Sequence, residues 1–123
     1  MKLKRSESQE QQAVIKYCDL KHIPIFHIPN GGSRNAREAA NLKKQGVRPG
    51  IPDLMLPVAK QGYHGLFIEM KVGYNKPTEN QEKWMDLLSK NGYLVKTCWG
   101  ADEAINLITN YMYLEEIKED PLF

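Results

Sequence analysis

Leu66-Phe67-Ile68-Glu69-Met70-Lys71-Val72 is the stretch from which both the fold and the chemistry can be read. Its seven residues are apolar apart from two charges, and successive side chains on a strand point to opposite faces. Leu66, Ile68, Met70 and Val72 then share one face and supply a core. Phe67, Glu69 and Lys71 share the other. Charged groups in so apolar a strand are costly unless they are paired or used. A lone Glu-x-Lys is most simply a cross-strand pair on an exposed face, so the neighbouring segments decide whether it is more.

Upstream lies Val47-Arg48-Pro49-Gly50-Ile51-Pro52-Asp53-Leu54-Met55-Leu56-Pro57. Its prolines and glycine forbid a helix. Asp53 to Leu56 reads as a strand entered from that loop, and 58–65 as the turn of a hairpin whose second strand is Leu66 to Val72. Asp53 and Glu69 then fall on adjacent strands and form a hard-oxygen pocket of the kind Mg²⁺ takes, with waters and substrate oxygens completing its shell. Lys71 stands beside them, placed to face an attacking water and developing charge.

Outward from the hairpin, Ser8 and Gln11 read as a capping box opening a helix from about Gln9 to Lys21. Ile25 to Ile28 is a short strand stopped by Pro29-Asn30-Gly31-Gly32. Asn35 to Gln45 is a basic helix. Thr78 caps a helix from Glu79 to Lys90, Leu94 to Trp99 is a further strand, and Ala101 to Met112 is a closing amphipathic helix with Ala104, Ile105, Ile108 and Tyr111 inward. The fold class is α/β, a small mixed β-sheet flanked by helices. Trp84 and Trp99 read as core, and Gly50 as a position needing positive φ or close backbone approach.

The 123 residues suit a single domain, 1–123, with 113–123 an acidic tail. The formal net charge is +2, and the tail alone contributes −3 through Glu115, Glu116, Glu119 and Asp120 against Lys118. Residues 1–112 therefore carry +5. Arg34, Arg37, Lys43, Lys44 and Arg48 are concentrated in one stretch, which is a solvated helix face or a phosphate-binding one. No apolar run is long enough to cross a membrane, and no apolar stretch follows the charged N-terminus as in a secretory signal. Cys18 and Cys98 lack metal-ligand spacing. An intracellular protein is expected, cytoplasmic in a bacterial cell or virus-encoded. His22, His27 and His64 lack zinc spacing, and His27 reads as structural.

Pro52-Asp53 followed by Glu69-Met70-Lys71 resembles the PD-(D/E)XK nuclease superfamily, whose fold is a restriction-endonuclease-like core. Pro29-Asn30-Gly31-Gly32, Gly46-Val47-Arg48-Pro49-Gly50-Ile51-Pro52-Asp53-Leu54, Ile68-Glu69-Met70-Lys71, Gln81 and Gly92-Tyr93-Leu94-Val95 narrow this to its VRR-NUC branch, in a stand-alone form. The resemblance runs from about Glu10 to Met112. It implies that Asp53, Glu69, the main-chain carbonyl of Met70 and Glu10 hold a divalent metal, Mg²⁺ with Mn²⁺ able to substitute. Lys71 would orient or activate water, and Gln81 would support the centre beyond its capping box with Thr78. Glu10 shares a helix face with Val14 and Tyr17, although a first-turn Glu is also favoured by the helix dipole, and Glu7 competes for the role.

The function expected is metal-dependent endonucleolytic cleavage of DNA, with selectivity for branched structures such as Holliday junctions, by a homodimer. The apolar run Tyr113, Leu114 and Ile117 either joins that dimer or folds back over the core. A non-catalytic module that binds DNA structures is the alternative, and a protein–protein adaptor a third reading. Retention of Asp53, Glu69 and Lys71 together favours catalysis.

Overall fold

The computed structural model describes residues 4–29 and 35–114. Its elements are α1 (Glu7–Leu20), β1 (Phe26–His27), α2 (Ala36–Lys44), β2 (Leu54–Leu56), β3 (Leu66–Lys71), α3 (Glu79–Lys90), β4 (Leu94–Trp99) and α4 (Ala101–Tyr113). The sheet order is β1-β2-β3-β4. β1 and β2 pair antiparallel, as do β2 and β3, and β3 pairs parallel with β4. The expected mixed α/β sheet is the fold observed.

β3 is an interior strand, and all six of its residues are buried. Its Leu66, Ile68 and Met70 join Val14 and Cys18 of α1 and Ala104, Ile108 and Tyr111 of α4 in one apolar core. Tyr17 Oη and Thr109 Oγ1, 2.8 Å apart, tie α1 to α4, and the Tyr111 hydroxyl donates to the Val58 carbonyl at 2.6 Å. α3 lies over the opposite face, where Gln81 reaches Glu69 and the Thr97 hydroxyl points at the Met85 sulfur. The face carrying Glu69 and Lys71 is therefore covered. A surface salt bridge does not describe it.

Two local features aim the site. Gly50 has φ +93°, and a Cβ there would lie 2.6 Å from the Asn80 carbonyl carbon. Only glycine lets the loop before Asp53 press against the first turn of α3. α3 itself starts on a complete Thr78–Gln81 capping box.

The structure differs from the sequence reading in several places. α1 begins at Glu7 with Ser6 as its cap, and Ser6 forms the box with Gln9. Ser8 with Gln11 is a competing pair of the same type. β1 is two residues rather than four, since Phe26 and His27 alone pair with β2. β3 ends at Lys71, because Val72 opens a turn closed by the Asn75 N–H on its carbonyl at 3.2 Å. Trp99 ends β4 at the sheet's rim and is 39% exposed, so it is not core, and Trp84 is half-buried. The Asn30–Gly32 turn, Arg34, Ile117 and the acidic part of the tail lie outside the described residues.

Candidate metal centre

Asp53 immediately precedes β2. The β2–β3 register pairs Leu54 with Ile68, so one step further sets Asp53 opposite Glu69. Its main chain is fixed from β1, where the Ile28 N–H donates to the Asp53 carbonyl at 2.8 Å and His27 Nδ1 lies 2.9 Å from the same oxygen. Its side chain is fixed from β3, with Oδ2 accepting the Met70 N–H at 2.8 Å. Met70 thus enters the site through its main chain.

Glu69 is 1% exposed. Its Oε2 accepts from Gln81 Nε2 at 3.2 Å and lies 3.4 Å from Lys71 Nζ. Its Oε1 is buried with no hydrogen-bond partner among the described residues. A buried carboxylate oxygen without a donor is expensive, and it is the orphan that a cation would satisfy. Burial, reinforced by the charge of Asp53 and opposed by Lys71, pushes the Glu69 carboxyl up to about 8 from 4.5.

The third acid is Glu7. One oxygen from each of Glu7, Asp53 and Glu69 lies within 4.8 Å of the other two. Desolvation first, then the Asp53 charge, raises the Glu7 carboxyl, while Lys71 pulls it down. Asp53 therefore pushes both Glu7 and Glu69 up, and a cation bound between the three would favour their ionised forms. Oxygens around Mg²⁺ lie about 2.0–2.1 Å from it, so opposite ligands are about 4.2 Å apart. A spacing within 4.8 Å is of the order that a shared divalent cation requires. The donor set, all oxygen, is the type hard divalent cations prefer.

Glu10, expected to be a ligand, is used elsewhere. Its Oε2 pairs with Arg5 Nη2 at 3.0 Å and accepts the Ala101 N–H at 3.1 Å. α4 opens on Gly100, which has no capping side chain, and Glu10 supplies that acceptor from α1. The reason is positional. With α1 starting at Glu7, that residue continues the stripe of Gln11, Val14 and Cys18, and it, not Glu10, faces Asp53. Reading Ser6-x-x-Gln9 as the capping box would have revealed it.

Gln81 makes both contacts weighed for it, to Thr78 and toward the acidic cluster. Its main-chain N–H donates to Thr78 Oγ1, its Oε1 accepts the Thr78 N–H at 2.8 Å, and its Nε2 holds Glu69. Of the basic stretch, Arg37, Lys43 and Lys44 are exposed on α2, which has no buried residue. Arg48 lies beyond the helix in sequence but folds back, its Nη1 donating to the Lys43 carbonyl at 3.0 Å. Cys18 and Cys98 are buried free thiols, both pushed up to about 11 by desolvation, which keeps them as unreactive core groups.

Comparison with known proteins identifies the same region. Residues 5–102 match the family model described as the VRR-NUC domain. A solved structure titled "VRR_NUC domain protein" is similar over 93% of this chain and 94% of its own, with 32% identity and a TM-score of 0.77. No curated protein gives a significant match.

Proposed function

This chain belongs to the VRR-NUC domain family, a nuclease family, and from that premise we propose that it is a divalent-metal-dependent endonuclease that hydrolyses DNA phosphodiesters. The observation that carries the reading is the gathering of carboxylate oxygens of Glu7, Asp53 and Glu69 beside Lys71, with Glu69 Oε1 left without a hydrogen-bond partner among the described residues. Glu7, Asp53, Glu69 and the main-chain carbonyl of Met70 would hold Mg²⁺ or Mn²⁺. When bound, such an ion acts as a Lewis acid on the phosphoryl oxygen and makes water a better nucleophile near neutral pH.

The chain's own groups do the positioning. The Met70 N–H occupies one oxygen of Asp53 and leaves the other for the centre. Gln81 and Lys71 occupy Oε2 of Glu69 and leave Oε1. The Lys71 ammonium is itself nearly buried, so its charge is weakly screened where negative charge builds on phosphorus. Water attacks phosphorus and gives up a proton to bulk solvent, the bond to the leaving sugar oxygen breaks, and that oxygen departs with a proton from solvent. Lys71, a donor with no acceptor, orients the water and the oxygens around it by hydrogen bonding.

Exposed Arg37, Lys43 and Lys44 would carry the DNA backbone contacts, with Arg34 and Arg48 flanking them in sequence. A two-fold dimer that nicks both strands of a branched DNA such as a Holliday junction is the assembly proposed. Its support is an apolar cleft of about 210 Å³ involving Tyr63, Leu107 and Leu114, with Leu114 59% exposed. A panel of four-way junction, flap and linear duplex, with Mg²⁺ or EDTA, tests the substrate, and light scattering tests the dimer. Paired nicks in the junction by a dimer are expected. A monomer that cuts linear duplex equally well overturns the junction assignment.

A further inference from the structure

Beyond the end of β3 the chain turns tightly through Val72, Gly73, Tyr74 and Asn75. Gly73 has φ +59° with open space around it, and the Asn75 N–H closes the turn on the Val72 carbonyl. A glycine of positive φ at the second position, followed by a residue of negative φ, is the type II′ pattern. The turn leaves Tyr74 99% exposed, and it has no hydrogen bond or ring contact among the described residues.

Trp99 stands beside this turn. Its indole N–H donates to the Asn75 carbonyl at 2.7 Å, which fixes the ring while 39% of the residue remains exposed. Tyr74, Asn75 and Trp99 line one cleft of about 730 Å³ together with Lys4, Arg5 and Glu10. That is within the range of about 300–1,000 Å³ typical of small-ligand sites. Single exposed aromatics need no explanation. Two in one cleft, one free and one pinned, with Lys4 and the Arg5–Glu10 pair also lining it, do. Glu10 does not repel an anion with its full charge, because Arg5 and the Ala101 N–H already hold its Oε2. Lys4 has no partner among the described residues.

We propose that this cleft is a stacking subsite for an unpaired DNA nucleobase, with Tyr74 and Trp99 as the aromatic surfaces and Lys4 and Arg5 facing the adjoining phosphates. Aromatic faces alternating with cations are the recognition chemistry of single strands, whereas a base inside a duplex has no free face to offer. The cleft follows Lys71 directly along the chain, and Glu10 on its wall is one helical turn from Glu7. An unpaired base seated there would belong to the same strand that reaches the acidic centre. The subsite deepens the proposed nuclease reading and rests on it for its meaning, but base binding is measurable without cleavage.

The experiment uses the full chain carrying Trp84→Phe, so that Trp99 supplies the tryptophan emission, in EDTA. A twelve-residue oligothymidylate is expected to quench that emission. Tyr74→Ala is expected to weaken its binding about tenfold, Tyr74→Phe to restore it, and a blunt duplex to bind all three proteins within about twofold of one another. Unquenched emission together with equal oligothymidylate affinity in Tyr74→Ala overturns the subsite, even where the wild type cleaves DNA with Mg²⁺. Quenching that depends on Tyr74, in a protein that cleaves nothing with any divalent metal, supports the subsite and removes the nuclease reading instead.

Discussion

Gln81 joins the start of α3 to Glu69, its Oε1 accepting the Thr78 N–H while its Nε2 donates to Glu69 Oε2 at 3.2 Å. One side chain thus caps a helix and orients a carboxylate. Gln81→Glu separates the two duties. Glutamate serves the capping box equally well but cannot donate to Glu69, and it adds a like charge. The expected outcome is an unchanged helix signal by circular dichroism with metal affinity down about 10–100-fold, the usual cost of losing a ligand's hydrogen-bonded support. Unchanged Mn²⁺ affinity by calorimetry would reduce Gln81 to a cap.

Glu7 and Glu10 are one turn apart on α1 and give opposite expectations. Glu7→Gln removes an acid from the cluster and should abolish tight Mn²⁺ binding with little loss of stability. Glu10→Gln removes the charge at the N-terminus of α4 and the Arg5 pair. It should cost about 1 kcal/mol in chemical denaturation and leave metal affinity within a few fold. The reverse pattern would restore Glu10 as the ligand.

The Glu69 carboxyl, held up at about 8 against an ordinary 4.5, predicts a pH dependence of the metal-free protein. Between those values the folded chain holds a proton that the unfolded chain has released. The associated stability is present in full below pH 4.5 and is lost as pH rises through about 8. Melting temperature without metal should therefore fall across that window, and Glu69→Gln should flatten the fall. Mn²⁺ should raise the melting temperature more at the alkaline end, where no proton competes for the site. A variant with the wild-type slope would locate the titration elsewhere.

Neutralising Arg37, Lys43 and Lys44 together should weaken DNA binding regardless of sequence. The slope of log K against log salt should flatten by about 0.9 for each phosphate that the protein no longer neutralises. An unchanged slope would make the exposed face of α2 a solvated surface.

Much of this fold was legible because local signals agreed. Thr78 with Gln81, the apolar runs Leu66–Lys71 and Leu94–Trp99, and the Pro-Gly loop before Asp53 each dictate one structure. Asp53, Glu69 and Lys71 came together because strand alternation and a single hairpin fix their juxtaposition. Glu7 was weighed only as a competitor of Glu10 because Ser6 and Ser8 offer two overlapping capping boxes, and local chemistry does not choose between them. Packing of Val14 and Cys18 chooses. Trp99 was misplaced because a strand's last residue is buried or exposed according to what covers the sheet's rim, which is a tertiary fact. The covered state of Glu69 likewise depends on α3 folding over a face that the strand pattern alone leaves open.

The most direct test is cleavage of a labelled four-way DNA junction by the wild type and by Glu69→Gln, with Mg²⁺ or Mn²⁺ and with EDTA, the two proteins matched by circular dichroism. Removing one ligand of a metal centre while keeping its shape should take cleavage down by about a thousandfold or more, and EDTA should stop the wild type. Wild-type rates from folded Glu69→Gln, or undiminished cleavage in EDTA, would contradict the metal centre built on Glu7, Asp53 and Glu69.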